Sequence, residues 1–445
     1  MQHEKKGILS LALATCICLS GCQTNTNSNT TKKSEGDVVN IYCWNNEFKG
    51  IYEAYAKDLA KKHEVDVNFV IITNDDSAYQ TNLDEALAEQ DTAIADDKVD
   101  IFLIEADYAS KYTKSDNTLD IINDVGLSED DLSQQYQYTK DIVTEDGTLK
   151  GVSWQATPGL FAYRRSIAKQ VLGTDDPDQI QEKLQNWDNF DAVAEQMKNA
   201  GYKMLSGYDD SFRAFSNNMS HPWVENNKIN LDDNILRWVN QTKQYTDNGY
   251  NNRTTLWSPG WSNDQGPDSN VFGFFYSTWG INFTLMGNSL ADPDGEKKAG
   301  NGIYGDFAVC EGPQPYYWGG TWICAAKGTD NLPFIKDLMY RLTCDSDTMK
   351  QITLDTLDYT NNIAAMDEIA GSDYSSDFLG GQNHIALFSE AAKKIDMKNT
   401  TSYDSGLNEE FQNAMHNYFD GEVDYDTALN NFYDAIAQKY PELSR

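Results

Sequence analysis

The side chains of this sequence with the most chemical character are its indoles and its carboxylates: ten tryptophans stand among 69 aspartates and glutamates. Two clusters directly follow apolar runs. Trp44, Asn45 and Glu47 come after Val38–Cys43, and Glu105 and Asp107 come after Val99–Ile104. Aromatic faces beside carboxylates and amides suit a guest with apolar C–H faces ringed by hydroxyls. The rings cover the faces, and the oxygens and amides share the hydroxyl hydrogen bonds. Catalysis has little support. The histidines are scattered, and no H-E-x-x-H, G-x-S-x-G or phosphate-loop pattern occurs. In so acidic a chain, two carboxylates at glycosidase spacing arise by coincidence. Asp292-Pro293-Asp294-Gly295 starts like a calcium loop without the later ligands and reads as a turn. Cys43, Cys310, Cys324 and Cys344 show no C-x-x-C spacing, which argues against zinc or redox chemistry. Buried thiols are the plainer reading, and whether Cys310 and Cys324 pair stays open at this stage. Neither a cofactor nor a metal is expected.

Those clusters need a scaffold that places loops side by side. Val38–Trp44 reads as a strand that breaks at Asn45-Asn46-Glu47, followed by a helix with Ile51, Tyr55 and Leu59 in its stripe, ending near His63. Val65, Val67, Phe69 and Ile71 alternate as a second strand, Asn82–Gln90 as another helix, and Val99–Ile104 as a strand buried on both faces. Strand, helix, strand, helix, strand is an α/β layer, and loops at the carboxyl ends of its strands are where such sheets bind ligands. Leu149–Pro158 and Gly159–Arg165 suggest a crossing strand pair with a change of lobe. Asp188 is the expected N-cap of a helix that buries Phe190, Val193, Ala194 and Met197 and stops at Gly201. A region dense in aromatics and asparagine runs from 206 to 290. Phe307–Cys310 and Thr321–Ala326 read as strands, and the remainder as mainly helical, including Pro333–Leu342 and Glu409–Ile436.

The amino end reads as a processing signal. Lys5 and Lys6 precede the apolar Ile8–Leu19, which is too short to span a bilayer. Leu19-Ser20-Gly21-Cys22 resembles the lipobox of bacterial lipoproteins, which implies removal of residues 1–21, with Cys16 and Cys18, and a diacylglyceryl thioether on Cys22. Residues 22–37 are mostly Asn, Thr, Ser and Lys and read as a flexible tether. The folded part is therefore expected outside the cell, held to the membrane by lipid alone. A net charge of −34 disfavours nucleic acid and anionic lipid as partners, and weighs mildly against an anionic ligand.

The order of segments behind this lipobox resembles the extracellular solute-binding proteins of carbohydrate ABC transporters, the relatives of maltose-binding protein. Ile41–Glu47 resembles the family's first strand and ligand-facing loop, and Asp100–Asp107 its third strand and polar loop. Gly151-Val152-Ser153-Trp154 with Leu160–Arg164 resembles its "G-x-P-W … Y-N" crossover, with Ser153 for Pro and Arg164 for Asn. Trp187-Asp188-Asn189-Phe190 resembles the "T-W-D-E-F" helix start, with Asn186 for Thr, and Gly312-Pro313 with Gly319-Gly320 the return strand. The resemblance implies an α/β, two-lobed, type II periplasmic-binding-protein-like fold that closes on its ligand. It assigns 38–156 and 303–327 to the N-terminal lobe and 157–302 and 328–445 to the C-terminal lobe. It further implies a monomeric, non-enzymatic carrier of a carbohydrate, an oligosaccharide by its count of platforms, for the permease subunits of an importer.

The resemblance also places Asp107 at an acidic ligand-contacting position and Trp279 in the segment that brings a stacking Trp from the second lobe. Trp154, at the crossover, fits a platform or a packing role equally. Of Trp318 and Trp322, which flank the return-strand glycines, one is expected to line the cleft and the other to pack. Trp257 and Trp261 lie in an irregular loop, where aromatics serve binding more often than packing. Asp209 and Arg213 lie in a comparable loop, while Trp187, Trp238 and Tyr163 read as core. Two alternatives stand: the same fold carrying a non-sugar solute, and a cell-surface enzyme. Thiaminases on a related fold carry a nucleophilic Cys after the crossover, where this chain has Ala156 and Thr157.

Overall fold

The computed structural model describes residues 36–445. The signal segment, Cys22 and nearly all of the tether lie outside the described residues. Strands β1 (Val38–Cys43), β2 (Asp66–Ile71), β3 (Val99–Glu105), β4 (Gly159–Arg164), β5 (Gly273–Ser277), β6 (Phe307–Cys310) and β7 (Thr321–Ala325) make two sheets. The first has the order β7-β3-β1-β2, and the second β6-β4-β5. In the first, β1 runs parallel to β2 and β3, while β7 returns antiparallel and sets Thr321 opposite Glu105. Every residue of β3 before Glu105 is buried, as its unbroken apolar run requires. The second sheet is antiparallel, with Phe307 opposite Arg164 and Gly159 opposite Ser277. Helices pack around both sheets, giving the two-lobed α/β fold.

The strand pairings cut across the stretch 303–327. β6 pairs with β4, so the stretch 303–327 is divided: its first strand belongs to the second sheet and only β7 to the first. The helix Leu332–Thr343, expected in the second lobe, packs on Asp58–His63 and Ile121–Val125 of the first. It follows β7 after a short turn, and its apolar stripe of Phe334, Ile335, Leu338, Met339 and Leu342 is buried there.

Local expectations shift too. The helix through Ile51, Tyr55 and Leu59 is two helices, Glu47–Tyr55 and Asp58–His63, broken after Ala56. The cap at 188 moves: Asn186 accepts the Asn189 N–H, and Trp187 opens the helix. Glu409–Ile436 falls on two helices, Asp404–Phe419 and Tyr425–Lys439, interrupted near Gly421. Cys43, Cys310, Cys324 and Cys344 are all buried and free, with Cys310 and Cys324 on different sheets. No helix among the described residues is long and apolar enough to cross a membrane.

Residues 149–158 are not a strand. Past Leu149 the chain makes single bridges, Val152 with Ile323, Gln155 with Thr360 and Pro158 with Tyr317, because it passes three different segments while crossing between sheets. Side chains supply what a ladder would. Buried Asn361 accepts from the Tyr136 N–H (3.0 Å) and donates to Thr139 Oγ1 (2.9 Å) and the Ser153 carbonyl (3.2 Å). Its own N–H reaches the Trp154 carbonyl at 2.9 Å. Gly159 lies so close to Tyr316 that a Cβ there would fall 2.1 Å from the ring. Removing the Asn361 amide leaves several buried groups unpaired, so Asn361→Ala is expected to cost roughly 2–4 kcal/mol of stability, read from chemical denaturation midpoints.

Candidate functional site

A cleft of about 1010 Å³ opens between the lobes. From the first lobe it is lined by the turn after β1, with Trp44, Asn45, Asn46 and Glu47, by Glu105 at the end of β3 and by Asp107 just beyond it. Both turns sit at the carboxyl ends of parallel strands, where open α/β sheets bind ligands. Gln155 and Asp358 line it as well. The second lobe contributes Asp209, Arg213, Trp257, Trp279, Asn282, Phe283 and Gln412, and Trp318, Gly319 and Gly320 lie on the segment returning to β7. These two glycines have φ of +74° and +121°, which admits the tight passage. A Cβ on Gly320 would stand 2.9 Å from the Trp322 ring.

Three indoles form one wall. Trp257 and Trp279 lie nearly parallel with centroids 5.9 Å apart, and Trp318 meets Trp279 edge-on at 5.2 Å. The Trp279 indole N–H donates to the Trp318 main-chain carbonyl at 3.0 Å, which fixes the Trp279 ring. Trp257 remains 56 % exposed and Phe283 78 %, large apolar faces open to the cleft. Trp44, half-buried on the other lobe, is held edge-on by Tyr79 and Tyr108.

Polar groups from both lobes line the same cleft. Arg213 Nη2 lies 3.1 and 3.2 Å from the two Asp107 oxygens, an ion pair that joins the lobes across the cleft. Glu105 accepts the Asp107 N–H at 2.7 Å, and Glu47 accepts from the Gln155 amide at 3.2 Å. Asp209 Oδ1 and His416 Nε2 lie 2.7 Å apart. Acceptor-rich carboxylates facing a rigid aromatic wall can hold hydroxyl donors against a flat apolar face.

A family model described as bacterial extracellular solute-binding protein matches residues 54–377. The chain belongs to the bacterial extracellular solute-binding proteins. Comparison with curated proteins gives no match. Solved structures share the fold. A crystal structure titled extracellular solute-binding protein family 1 is 18 % identical, covering 90 % of this chain and 100 % of its own, with a TM-score of 0.75. The sugar-binding protein MalE from Xanthomonas citri is 14 % identical, covering 90 % and 98 %, with a TM-score of 0.68. The ABC transporter associated binding protein from B. animalis subsp. lactis, solved in complex with beta-1,6-galactobiose, is 18 % identical, covering 92 % and 98 %, with a TM-score of 0.64.

In this solute-binding protein, Trp44, Asn45, Glu47, Glu105, Asp107, Asp209, Trp257, Trp279 and Trp318 all reach the cleft. Trp154 also touches it, but its indole is buried against Phe48, so it supports the floor and offers no free face. Trp322 is the packing member of its pair. Side chains alternate along β7, so with Thr321 on the cleft, Trp322 turns inward and donates to the Thr139 carbonyl at 2.8 Å. Trp261 also departs from expectation. Its loop forms a short helix, Pro259–Asp264, capped by Ser258, and its buried indole donates to Asp210 at 3.1 Å while bracing Trp257. Gln155, Asn282, Phe283 and Asp358 were not singled out from the sequence. Asn282 and Phe283 ride a π-helical turn, Ile281–Leu285, and Asp358 sits in a loop after a helix, neither carrying a local signal.

Loss of water within the cleft pushes the Glu47 carboxyl up to about 7, aided by the Asp358 charge and opposed by the Gln155 hydrogen bond. Burial likewise pushes Asp358 up to about 6. Glu105 is raised by desolvation and by the Asp107 charge, against the pull of the Asp107 N–H and of Arg213. A carboxyl that binds its proton more tightly when folded favours the fold at low pH and loses that contribution as pH rises through its folded value. Glu47→Gln is uncharged throughout. In thermal melts without ligand it should match the parent near pH 4.5, the ordinary value for this group, and become the more stable of the two by about pH 7. A constant difference across that range would contradict the assignment.

Proposed function

We propose that this protein captures a carbohydrate of more than one ring in the interlobe cleft and delivers it, chemically unchanged and as a monomer, to the permease subunits of an ABC importer. The observation that carries this reading is the wall of Trp257, Trp279 and Trp318 facing Glu47, Glu105 and Asp107 across one cleft. Sugar faces stack on the wall, and hydroxyls donate to the carboxylates. The volume stands at the upper end of the roughly 300–1,000 Å³ that small-molecule pockets span, which favours a chain of rings over one. The MalE and galactobiose-bound neighbours support a sugar as the cargo. The lobes in this reading are the groups of elements around each sheet, with the crossings at 152–158 and 311–320 as the flexing points.

Retention at the membrane rests on Cys22. The charged and apolar segments before it and the polar stretch after it fit a lipid anchor with a tether. Cys22→Ala should move the protein from the membrane fraction of an expressing bacterium into the medium or the soluble extracytoplasmic fraction.

Titration calorimetry against a glycan panel, with product analysis of the same mixtures, tests the cargo. Binding without turnover is the expected result; turnover would favour the enzyme reading, and silence throughout the panel would favour a non-sugar solute. Trp279→Ala should weaken the glycan so found by about 1–3 kcal/mol while leaving the melting curve close to that of the parent.

A further inference from the structure

The cleft carries five carboxylate side chains, Glu47, Glu105, Asp107, Asp209 and Asp358, against one cationic side chain, Arg213. That guanidinium is already committed. Its Nη2 sits within 3.2 Å of both Asp107 oxygens, and Glu105 lies near enough to add to the attraction. Asp209 faces His416. Among the described residues, Glu47, Glu105 and Asp358 have no ion-pair partner; their hydrogen bonds come from neutral donors, the Gln155 amide for Glu47, the Asp107 and Ala106 N–H groups for Glu105, and the Tyr359 N–H and Thr278 hydroxyl for Asp358.

We infer that the cleft selects uncharged glycans and rejects acidic ones, with Asp107 as the residue that sets this choice by holding Arg213. The inference rests on the carbohydrate reading and narrows it to a charge class. A hydroxyl can donate to each of the three unpaired carboxylates. A uronate, sulfate or phosphate group is itself acceptor-only, so above the raised values of Glu47, Glu105 and Asp358, where these carboxyls are ionised, it meets acceptors of its own sign inside a partly dewatered cleft. Its one possible cationic partner is Arg213, and reaching that side chain means displacing Asp107 and leaving the Asp107 carboxylate unpaired. The long-range field has the same sign, because the chain carries a net charge of −34.

The test pairs neutral oligosaccharides with the uronic acids made by oxidising their hydroxymethyl groups, measured by calorimetry at about pH 9, above the raised values of Glu47, Glu105 and Asp358, so that all three are ionised. For the neutral glycan that binds, its acidic counterpart should be weaker by about 100-fold or more. Asp107→Asn frees the guanidinium fork, whose geometry suits a carboxylate, and should narrow that ratio by about 10-fold. The double variant Asp107→Asn with Arg213→Gln should lose the gain. An acidic glycan that binds the parent within a few-fold of its neutral partner, or an unchanged ratio in Asp107→Asn, overturns the inference and leaves the carbohydrate reading standing. No binding by any glycan removes the carbohydrate reading and the inference together. Should the variants fail to fold, the parent's ratio alone decides.

Discussion

A chain that leaves one sheet to enter another gives up its ladder, and every backbone N–H and C=O on the way must find a partner elsewhere. Here the chain does so at 152–158 and again at 311–320, and the two passages lean on each other. The Trp318 N–H donates to the Thr157 carbonyl at 3.1 Å, and the Thr157 hydroxyl to the Gly319 carbonyl at 2.8 Å. Ser153 Oγ reaches the Thr321 carbonyl at 2.6 Å, and Tyr316 Oη holds the carbonyls of Leu160 and Tyr276, each at 2.9 Å. The cleft is bounded by this paired crossing, and the orientation of Trp318 and Trp279 follows from it.

The same geometry explains how one cleft gathers carboxylates and indoles from both sheets. Parallel strands β1 and β3 end together, so their turns bring Trp44, Glu47, Glu105 and Asp107 to one lip. The antiparallel second sheet delivers Trp279 at the end of β5, next to the returning Trp318. Loss of water raises the proton affinity of Glu47, Glu105 and Asp358, with a neighbouring carboxylate adding to it at Glu47 and Glu105, a destabilising arrangement at neutral pH that Arg213 partly offsets at Glu105. Such local strain is characteristic of sites kept for binding rather than for stability.

Much of the framework was legible in the residue pattern. The alternation at 65–71 and the unbroken run at 99–104 became β2 and β3 within a residue, because burial on one or both faces leaves a direct periodic trace. Helix ends were less legible. The choice between Asn186 and Asp188 as cap depends on one turn of backbone, which both side chains suit. The loop tryptophans divided for a tertiary reason: Trp257, at φ +67°, is turned outward while Trp261, four residues on, finds Asp210 and sinks.

Residue order alone determined the α/β layer, the acidic character and the loops at the ends of β1 and β3, because these depend on neighbours in sequence and on composition. The tertiary structure alone decided which sheet β6 joins, what the helix at 332–343 packs on, whether Trp318 or Trp322 faces the cleft, and that Asp107 meets Arg213. Each of these turns on contacts between segments about a hundred or more residues apart, whose pairing is set by how two separate sheets share their crossing strands, and no local period records it.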